Sequence, residues 1–188
     1  MKRLIIGISG SSGVIYGIRM LQILREVEQI ETHLVMSSAG KMNITIETDF
    51  TVKDVENFAD VVHKYQDIAA NISSGSFSTA GMIVAPCSMK TLSSIVHSYS
   101  DNLLTRAADV VIKEGRKLVL MPRETPLHQG HCKLLFEASQ LGIFICPPVP
   151  AFYNRPSTVE DIIDHSVGRV LDLFDINTGI VKRWSGPI

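Results

Sequence analysis

The stretch that most constrains the fold is the first turn, where a short apolar run meets a cluster of glycine and serine. Leu4–Ile8 is apolar and rich in β-branched residues, and Ser9–Gly13 then reads Ser-Gly-Ser-Ser-Gly. An amphipathic segment begins at once with Val14. A buried strand, a tight loop and a helix start in this order are typical of a βα unit in a parallel sheet.

This loop has two interpretations. Gly10 and Gly13 lack a Cβ, so the backbone can approach a ligand closely and adopt a positive φ. The free N–H groups and the dipole of the following helix favour an anion, and Ser9, Ser11 and Ser12 add hydroxyl donors. The loop therefore indicates a phosphate cradle for a nucleotide-like cofactor. The alternative is an ordinary βα turn that needs small residues.

Composition limits the classes of protein that the chain can belong to. With 188 residues, 45% hydrophobic and 20% charged, it is expected to form one domain over 1–188. Its net charge of −1 implies no general attraction to nucleic acid or membranes. No apolar run approaches the ~18 residues that span a bilayer, and the run before Gly7 is too short for a signal peptide. We expect a cytoplasmic protein.

The hydrophobic pattern predicts strands that alternate with helices, which is typical of an α/β fold with a parallel sheet covered on both faces. The segment Val61–Ser78 has only a weak pattern. Further predicted strands are His33–Met36, Met82–Ala85, Leu118–Met121 and Ile143–Cys146. Predicted helices are Val14–Glu28, Ala39–Thr48, one capped by Thr51, one capped by Asp101 and running to Glu114, His131–Gln140, and a last one opened by a capping box Ser157–Glu160.

The carboxyl ends of such strands are where ligands bind, and here they carry polar residues. An NAD-binding unit would have an acidic residue roughly 20 positions after its glycine loop, where this chain has serine. The loop spacing is also G-x-x-G-x-x-G, not G-x-G-x-x-G, which argues further against NAD. The polar strand ends are Ser9–Gly13, Ser37, Pro86–Thr91, Arg123-Glu124 and Tyr153.

Several cysteine and histidine side chains are candidates for chemistry. Cys87 follows a strand, but with no histidine evidently placed to activate it, a buried inert thiol is favoured over a nucleophile. Cys132 and Cys146 complete an odd set without C-x-x-C spacing, which supports neither disulfides nor structural zinc. His128-x-x-His131 lacks a visible third metal ligand.

Basic residues offer another route to phosphate chemistry. Arg106 and Lys113 lie seven apart on one predicted helix, and this face is either solvated or anion-binding. Arg123 can clamp a phosphate and Glu124 can move a proton. Because no D-D-x-x-D carboxylate cluster is present to hold Mg²⁺, we expect a monophosphate handled by protein cations without metal.

Taken together, these residues resemble the flavin prenyltransferase family, long described as aromatic-acid or hydroxybenzoate carboxy-lyases and similar to phenylacrylic acid decarboxylases. The likeness covers almost the whole chain. The matching blocks are Gly10-Ser11-Ser12-Gly13, Glu47-Thr48-Asp49, Pro86-Cys87-Ser88-x-x-Thr91, Asn102-Leu103-x-x-Arg106-Ala107-Ala108-Asp109, Pro122-Arg123-Glu124-x-Pro126, Phe152-Tyr153 and Arg183-Trp184.

The resemblance implies a flavodoxin-like, Rossmann-like three-layer sandwich that binds FMN and forms a homo-oligomer, typically a dodecamer. It implies transfer of a dimethylallyl group from dimethylallyl monophosphate to N5 and C6 of reduced FMN. The prenylated FMN then serves a separate partner decarboxylase. One departure is Ile68, near a loop position where members often carry Trp.

The resemblance also implies residue roles. Glu124 is similar to the acid/base at the leaving phosphate, and Ser12 and Glu47 to helpers of ring closure. Lys113, Arg123, Tyr153 and Arg169 are similar to the residues that bind the substrate phosphate. The implied FMN contacts are Gly10, Ser11, Ser12, Ser37, Ser88, Met89, Lys90, Thr91 and Arg123.

Two other functions compete with this one. The first is an FMN-dependent decarboxylase acting on a cysteine-containing or aromatic acid, although the cysteine type carries an Asn-rich motif where this chain has Ala85-Pro86-Cys87-Ser88. The second is a carrier that only delivers flavin. Charged residues such as Arg123 and Glu124 would then have no task.

Overall fold

The computed structural model describes residues 1–181, 183 and 186. Within these residues six strands form one parallel sheet in the spatial order β3-β2-β1-β4-β5-β6. Without the short edge strand β3, the order of the other five is the 2-1-3-4-5 of a flavodoxin-like sheet. The predicted α/β fold is thus confirmed. The strands are β1 (Lys2–Ile8), β2 (Ile30–Met36), β3 (Val61–His63), β4 (Gly81–Cys87), β5 (Lys117–Pro122) and β6 (Phe144–Ile145).

Helices cover both faces of the sheet, because successive side chains of a buried strand point to opposite sides. Leu4, Ile6 and Ile8 of β1 join one apolar cluster, whereas Ile5 joins the other. The first cluster includes residues of α1 and α7, and the second includes residues of α4 and α5. The helices are α1 (Val14–Leu24), α2 (Ser38–Glu47), α3 (Val52–Glu56), α4 (Met89–Val96), α5 (Leu103–Lys113), α6 (Gln129–Gln140) and α7 (Val159–Asp172).

Several helix boundaries differ from the predicted ones because particular side chains make the caps. The cap of α5 is Asn102, not Asp101, since the Asn102 side chain accepts a hydrogen bond from the Thr105 N–H at 3.0 Å. The capping box of α7 pairs Thr158 with Asp161, one position beyond the predicted Ser157–Glu160 box. The predicted cap of α3, Thr51, is confirmed together with its partner Asp54.

The strand β3 lies in the weakly patterned segment and was not predicted. It has three residues, too few for a period-two pattern to be distinctive. It pairs with β2, where the Nδ1 atom of buried His33 lies 2.9 Å from Nε2 of His63. This pairing fixes the start of the loop that carries Tyr65.

The direction of the chain sets two opposite edges of the sheet. The carboxyl ends of the strands meet at the edge with Ser9, Ser37 and Ser88, and α5 begins there with Asn102. The helix then runs back along the sheet, so that Lys113 ends near the start of β5 at the amino edge. Lys113 lies eight residues after Thr105, which corresponds to about 12 Å along the helix axis.

Candidate functional site

A cavity of about 330 Å³ opens at the carboxyl edge, where β1 lies between β2 and β4. The chain reverses its direction of strand addition between β1 and β4, and such switch points are where open α/β sheets bind ligands. The volume is within the range of small-molecule sites. The lining is mostly hydroxyl-bearing and small: Gly10, Ser37, Ser38, Ala39, Tyr65, Ser88, Lys90, Thr91, Ser94, Asn102 and Thr105.

Buried Ser9 ties the two central loops of this cavity together. Its Oγ donates to the Pro86 carbonyl at 3.0 Å and accepts from the Ser88 N–H at 2.8 Å. Gly10 then passes against the start of α2, where a Cβ added to Gly10 would lie 2.4 Å from the Cβ of Ala39. A larger residue at this position would push the first loop out of place.

Three helices begin at the wall of the cavity. Ser37 caps α2 by accepting from the Gly40 N–H at 3.0 Å, and Ser88 caps α4 by accepting from the Thr91 N–H at 3.2 Å. Asn102 caps α5. Helix N-termini carry unpaired N–H groups and partial positive charge, so together they favour an anionic group in this cavity. Exposed Lys90 adds a full positive charge.

The N-terminus of α1 is different, because a side chain of the protein already satisfies it. The Glu47 carboxylate, at the end of α2, accepts from the Gly13 N–H at 2.7 Å and from the Val14 N–H at 3.3 Å. In the phosphate-cradle interpretation of the first loop, these N–H groups would face a ligand anion. The structure corrects this point: a negative charge is held there by the chain itself.

The end of β5 brings Arg123 and Glu124 to the rim of the first loop. The Arg123 Nε atom donates to the Ser12 carbonyl at 3.1 Å. Exposed Glu124 accepts from the adjacent Thr125 N–H at 3.0 Å. Four of the implied FMN contacts, Ser11, Ser12, Met89 and Arg123, lie outside the cavity lining, although Ser12 and Arg123 are joined at its border.

The expected substrate-phosphate residues are not brought together within one chain. Tyr153 and Arg169 line a second cavity of about 330 Å³ with Val181 and Arg183. Lys113 lies at the amino edge, where its Nζ atom pairs with the carboxylate of Glu114. Within one chain these residues therefore lie in three separate places, with Arg123 at the rim of the first cavity. Whether they form one site across a subunit boundary stays a prediction.

The second cavity rests on polar residues of α7. The Tyr153 hydroxyl lies 2.9 Å from Nε2 of His165. Burial lowers the pKa of His165, and nearby Arg169 lowers it further, while Asp172 partly offsets both effects. His165 is therefore neutral at pH 7 and can exchange a hydrogen bond with Tyr153 in either direction. Trp184 of the quoted Arg183-Trp184 block lies outside the described residues.

Comparison with known proteins decides the family. The Flavoprotein family model matches residues 1–185. The chain is 60% identical over 188 residues to flavin prenyltransferase UbiX of Escherichia coli strain K12, which covers 99% of this chain and 100% of the relative. The chain belongs to the flavin prenyltransferase family.

Two solved structures resemble this family member closely. The dodecameric FMN-dependent UbiX-like decarboxylase from Escherichia coli O157:H7 is 52% identical with a TM-score of 0.96, covering 98% of this chain and 100% of the other. AnUbiX (PadA1), solved with FMN and dimethylallyl pyrophosphate, is 48% identical with a TM-score of 0.97, covering 100% and 99%.

The remaining candidate groups lie away from both cavities or are buried. Cys87 is fully buried, and this burial raises its pKa to about 12, so the thiol is inert as expected. The rings of His128 and His131 are in contact, with centroids 3.6 Å apart and planes tilted by 33°. Among the described residues, no three or more His, Cys, Asp or Glu side chains form a group that could hold a metal ion.

Sequence reasoning missed part of the cavity wall. Tyr65 lies just after β3, and no local pattern singles it out. Burial raises the pKa of Tyr65, with a smaller contribution from Asp101, so its hydroxyl stays protonated and able to donate. For Asn102 and Thr105 the sequence does give an indication, because a helix cap is expected after a polar run. The predicted cap, Asp101, lies one residue before the observed one. Ile68 is exposed and does not line the cavity.

Across the described residues, no helix is both long and apolar enough to cross a membrane.

Proposed function

We propose that this protein transfers a dimethylallyl group from dimethylallyl monophosphate to N5 and C6 of reduced FMN. The prenylated FMN would serve a separate decarboxylase, with the enzyme acting in the cytoplasm as a homo-oligomer, a dodecamer like its relative. The observation that carries the proposal is the hydroxyl-rich cavity at the switch point, in a chain 60% identical to a flavin prenyltransferase.

The donor set of the cavity fits FMN. The starts of α2 and α4, capped by Ser37 and Ser88, suit the phosphate, and Thr91 and Lys90 add a hydroxyl and a charge. Gly10 lets the first loop pack closely against the start of α2, beside these donors. In the first loop, outside the cavity lining, the buried Ser11 hydroxyl has no hydrogen-bond partner among the described residues and so keeps a donor available. When bound, reduced FMN supplies the electron-rich ring that accepts the prenyl group.

The protein residues have to stabilise the departing phosphate. Breaking an allylic C–O bond leaves a cation on carbon and an additional negative charge on phosphate. Arg123, at the border of the first loop, can bind two phosphate oxygens at once, and Glu124 beside it can deliver a proton to the leaving oxygen. With no metal-ligand group among the described residues, we assign the charge compensation to Arg and Lys side chains.

Ser12 and Glu47 lie on the other side of this rim and are suited to the later step of ring closure. The two backbone N–H groups that bond Glu47 fix its carboxylate beside Gly13, the neighbour of Ser12. A fixed carboxylate next to a hydroxyl can accept a proton through it. We therefore assign proton removal during ring closure to this pair.

The phosphate site is completed, on this proposal, by neighbouring subunits. Lys113 lies at the edge of the sheet opposite the first cavity, and Tyr153 and Arg169 line a different cavity. These residues meet the same phosphate as Arg123 only if other copies of the chain supply them. A homo-oligomer provides those copies, and the UbiX-like relative is dodecameric.

A decarboxylase is the second candidate, because the 52% identical neighbour is described as an FMN-dependent UbiX-like decarboxylase. A flavin carrier is the third. Incubating the protein anaerobically with reduced FMN and either dimethylallyl monophosphate or the pyrophosphate, then weighing the flavin by mass spectrometry, separates the three. Prenyl transfer predicts a flavin heavier by one dimethylallyl group. Release of CO₂ from aromatic or cysteine-type acids with unchanged flavin would indicate a decarboxylase. If neither prenyl transfer nor CO₂ release occurs, the protein is a flavin carrier.

A further inference from the structure

One face of α7 carries three polar residues at helical spacing. His165, Arg169 and Asp172 follow the i, i+4, i+7 pattern, so they line the same side of the helix. His165 contacts Tyr153 and Asp172 contacts Arg169, which are the two residues proposed to reach the substrate phosphate. Residues on this face of α7 therefore contact two of the side chains that line the second cavity.

Asp172 binds two guanidinium groups at once. Its carboxylate accepts from Arg169 Nη1 at 2.7 Å, and from both Nη atoms of Arg183 at 3.1 and 2.8 Å. The Asp172 side chain is only 16% exposed, whereas those of Arg169 and Arg183 are 54% and 56% exposed. The aspartate is thus the most buried of the three side chains, and it anchors the two arginines that line the second cavity.

This arrangement has a clear electrostatic consequence. Two guanidinium groups side by side repel each other, and a carboxylate between them removes that repulsion. Both arginines lower the pKa of Asp172, chiefly through the hydrogen bond from Arg183, so it stays ionised at neutral pH. The three groups together carry one net positive charge, which still attracts a phosphate. A long, exposed Arg side chain without such an anchor would occupy many rotamers.

We propose that Asp172 is a positioning residue of the prenyl-phosphate site: it orients Arg169 toward the phosphate and holds Arg183 of the C-terminal segment beside it. Asp172 does not touch the substrate itself. This inference rests on the proposed function, because it assumes that Arg169 binds the phosphate of the prenyl donor.

The test measures binding of dimethylallyl monophosphate to the FMN-loaded oligomer by calorimetry, together with KM and kcat for prenyl transfer. Asp172→Asn should raise Kd and KM for the donor about 10-fold. The estimate is taken from metal sites, where removing the hydrogen-bond partner of a ligating side chain weakens binding by a similar factor. The FMN affinity should stay within twofold, whereas kcat should fall together with donor affinity, because Arg169 also stabilises the departing phosphate. Asp172→Glu should restore part of the donor affinity.

The matched control is Asp164→Asn on the same helix. Asp164 also pairs with an arginine, accepting from Arg19 at 2.6 and 3.0 Å, but lies outside the second cavity. Asp164→Asn should leave the donor Kd unchanged while lowering the melting temperature comparably. In an Arg169→Ala background, Asp172→Asn should weaken donor binding by less than twofold. If Asp172 acts through Arg169, the effects of the two substitutions on donor binding do not add.

Three results would overturn the proposal: an unchanged or lower donor Kd in Asp172→Asn, an equal increase in Asp164→Asn, or full additivity with Arg169→Ala. The binding arm also separates this inference from the proposed function. If the wild-type protein binds the donor and these differences appear without prenyl transfer, the function is wrong and the positioning role stands. A wild-type protein that binds no prenyl phosphate overturns both.

Discussion

The contact between Glu47 and the start of α1 makes a quantitative prediction, because one carboxylate there serves two purposes. It accepts from the Gly13 and Val14 N–H groups at 2.7 and 3.3 Å, and it also lies where proton removal is proposed. Glu47→Ala removes both hydrogen bonds and the charge. Glu47→Gln keeps an acceptor oxygen and removes only the charge.

The expected stability changes follow from the geometry. A charge at a helix N-terminus contributes roughly 0.3–1 kcal/mol, and a hydrogen bond to a charged group about 1.5–3 kcal/mol when it is buried. Because Glu47 is exposed, the lower ends of these ranges apply. We expect Glu47→Ala to lower the free energy of unfolding by about 1–2 kcal/mol and Glu47→Gln by about 0.5 kcal/mol.

Urea unfolding at fixed protein concentration measures these changes, with Glu28→Ala and Glu28→Gln as controls in the exposed turn after α1. The rate of prenylated-flavin formation is measured on the same samples. If Glu47 removes a proton, Glu47→Gln should slow that rate by about 10²-fold or more, although nearly all of it remains folded. A Glu47→Ala protein as stable as its Glu28 control would refute the capping argument, and a fully active Glu47→Gln would refute the catalytic one.

The remaining predictions concern the thiols, the proton shuttle and the shared site. Iodoacetamide at pH 8 should modify exposed Cys132 and leave Cys87 intact, since a pKa of about 12 leaves Cys87 almost no thiolate; rapid loss of the Cys87 thiol in peptide mapping would contradict this. Glu124→Gln should reduce the turnover rate by about 10²–10⁴-fold with FMN affinity unchanged, and wild-type turnover would remove Glu124 from the mechanism. Arg169→Ala should weaken donor binding without affecting FMN. Mixing it with Glu124→Gln under subunit exchange should restore activity, and no recovery despite proven exchange would mean that each chain builds its own site.

The sequence predicted the fold well where the buried strands are continuous apolar runs. Such runs ended by Gly, Pro or Ser marked β1, β2, β4 and β5, and their order along the chain with intervening helices required a parallel sheet. The edge strand β3 could not be predicted in this way. It forms by pairing with β2, and its side-chain contact between His63 and His33 joins residues 30 positions apart.

Part of the candidate site followed from the rule that ligands bind at the carboxyl ends of strands. Ser37, Ser88 and Thr91 line the cavity for that reason. The hydrogen bonds from the start of α1 to Glu47 could not be predicted. They join groups 34 positions apart, and no local sequence pattern indicates such a contact. Nor does a motif say which copy of the chain supplies a residue, so the grouping of Lys113 with Tyr153 and Arg169 across a subunit boundary stays a prediction.

The central claim is prenyl transfer from a phosphorylated donor by protein cations alone. It is tested most directly by one anaerobic single-turnover experiment on EDTA-treated protein with reduced FMN and dimethylallyl monophosphate, in which released phosphate is counted against flavin mass. Our account predicts one phosphate for each flavin that gains a dimethylallyl group, at a rate that added Mg²⁺ does not change. A flavin of unchanged mass, or a reaction that occurs only when Mg²⁺ is restored, would contradict it.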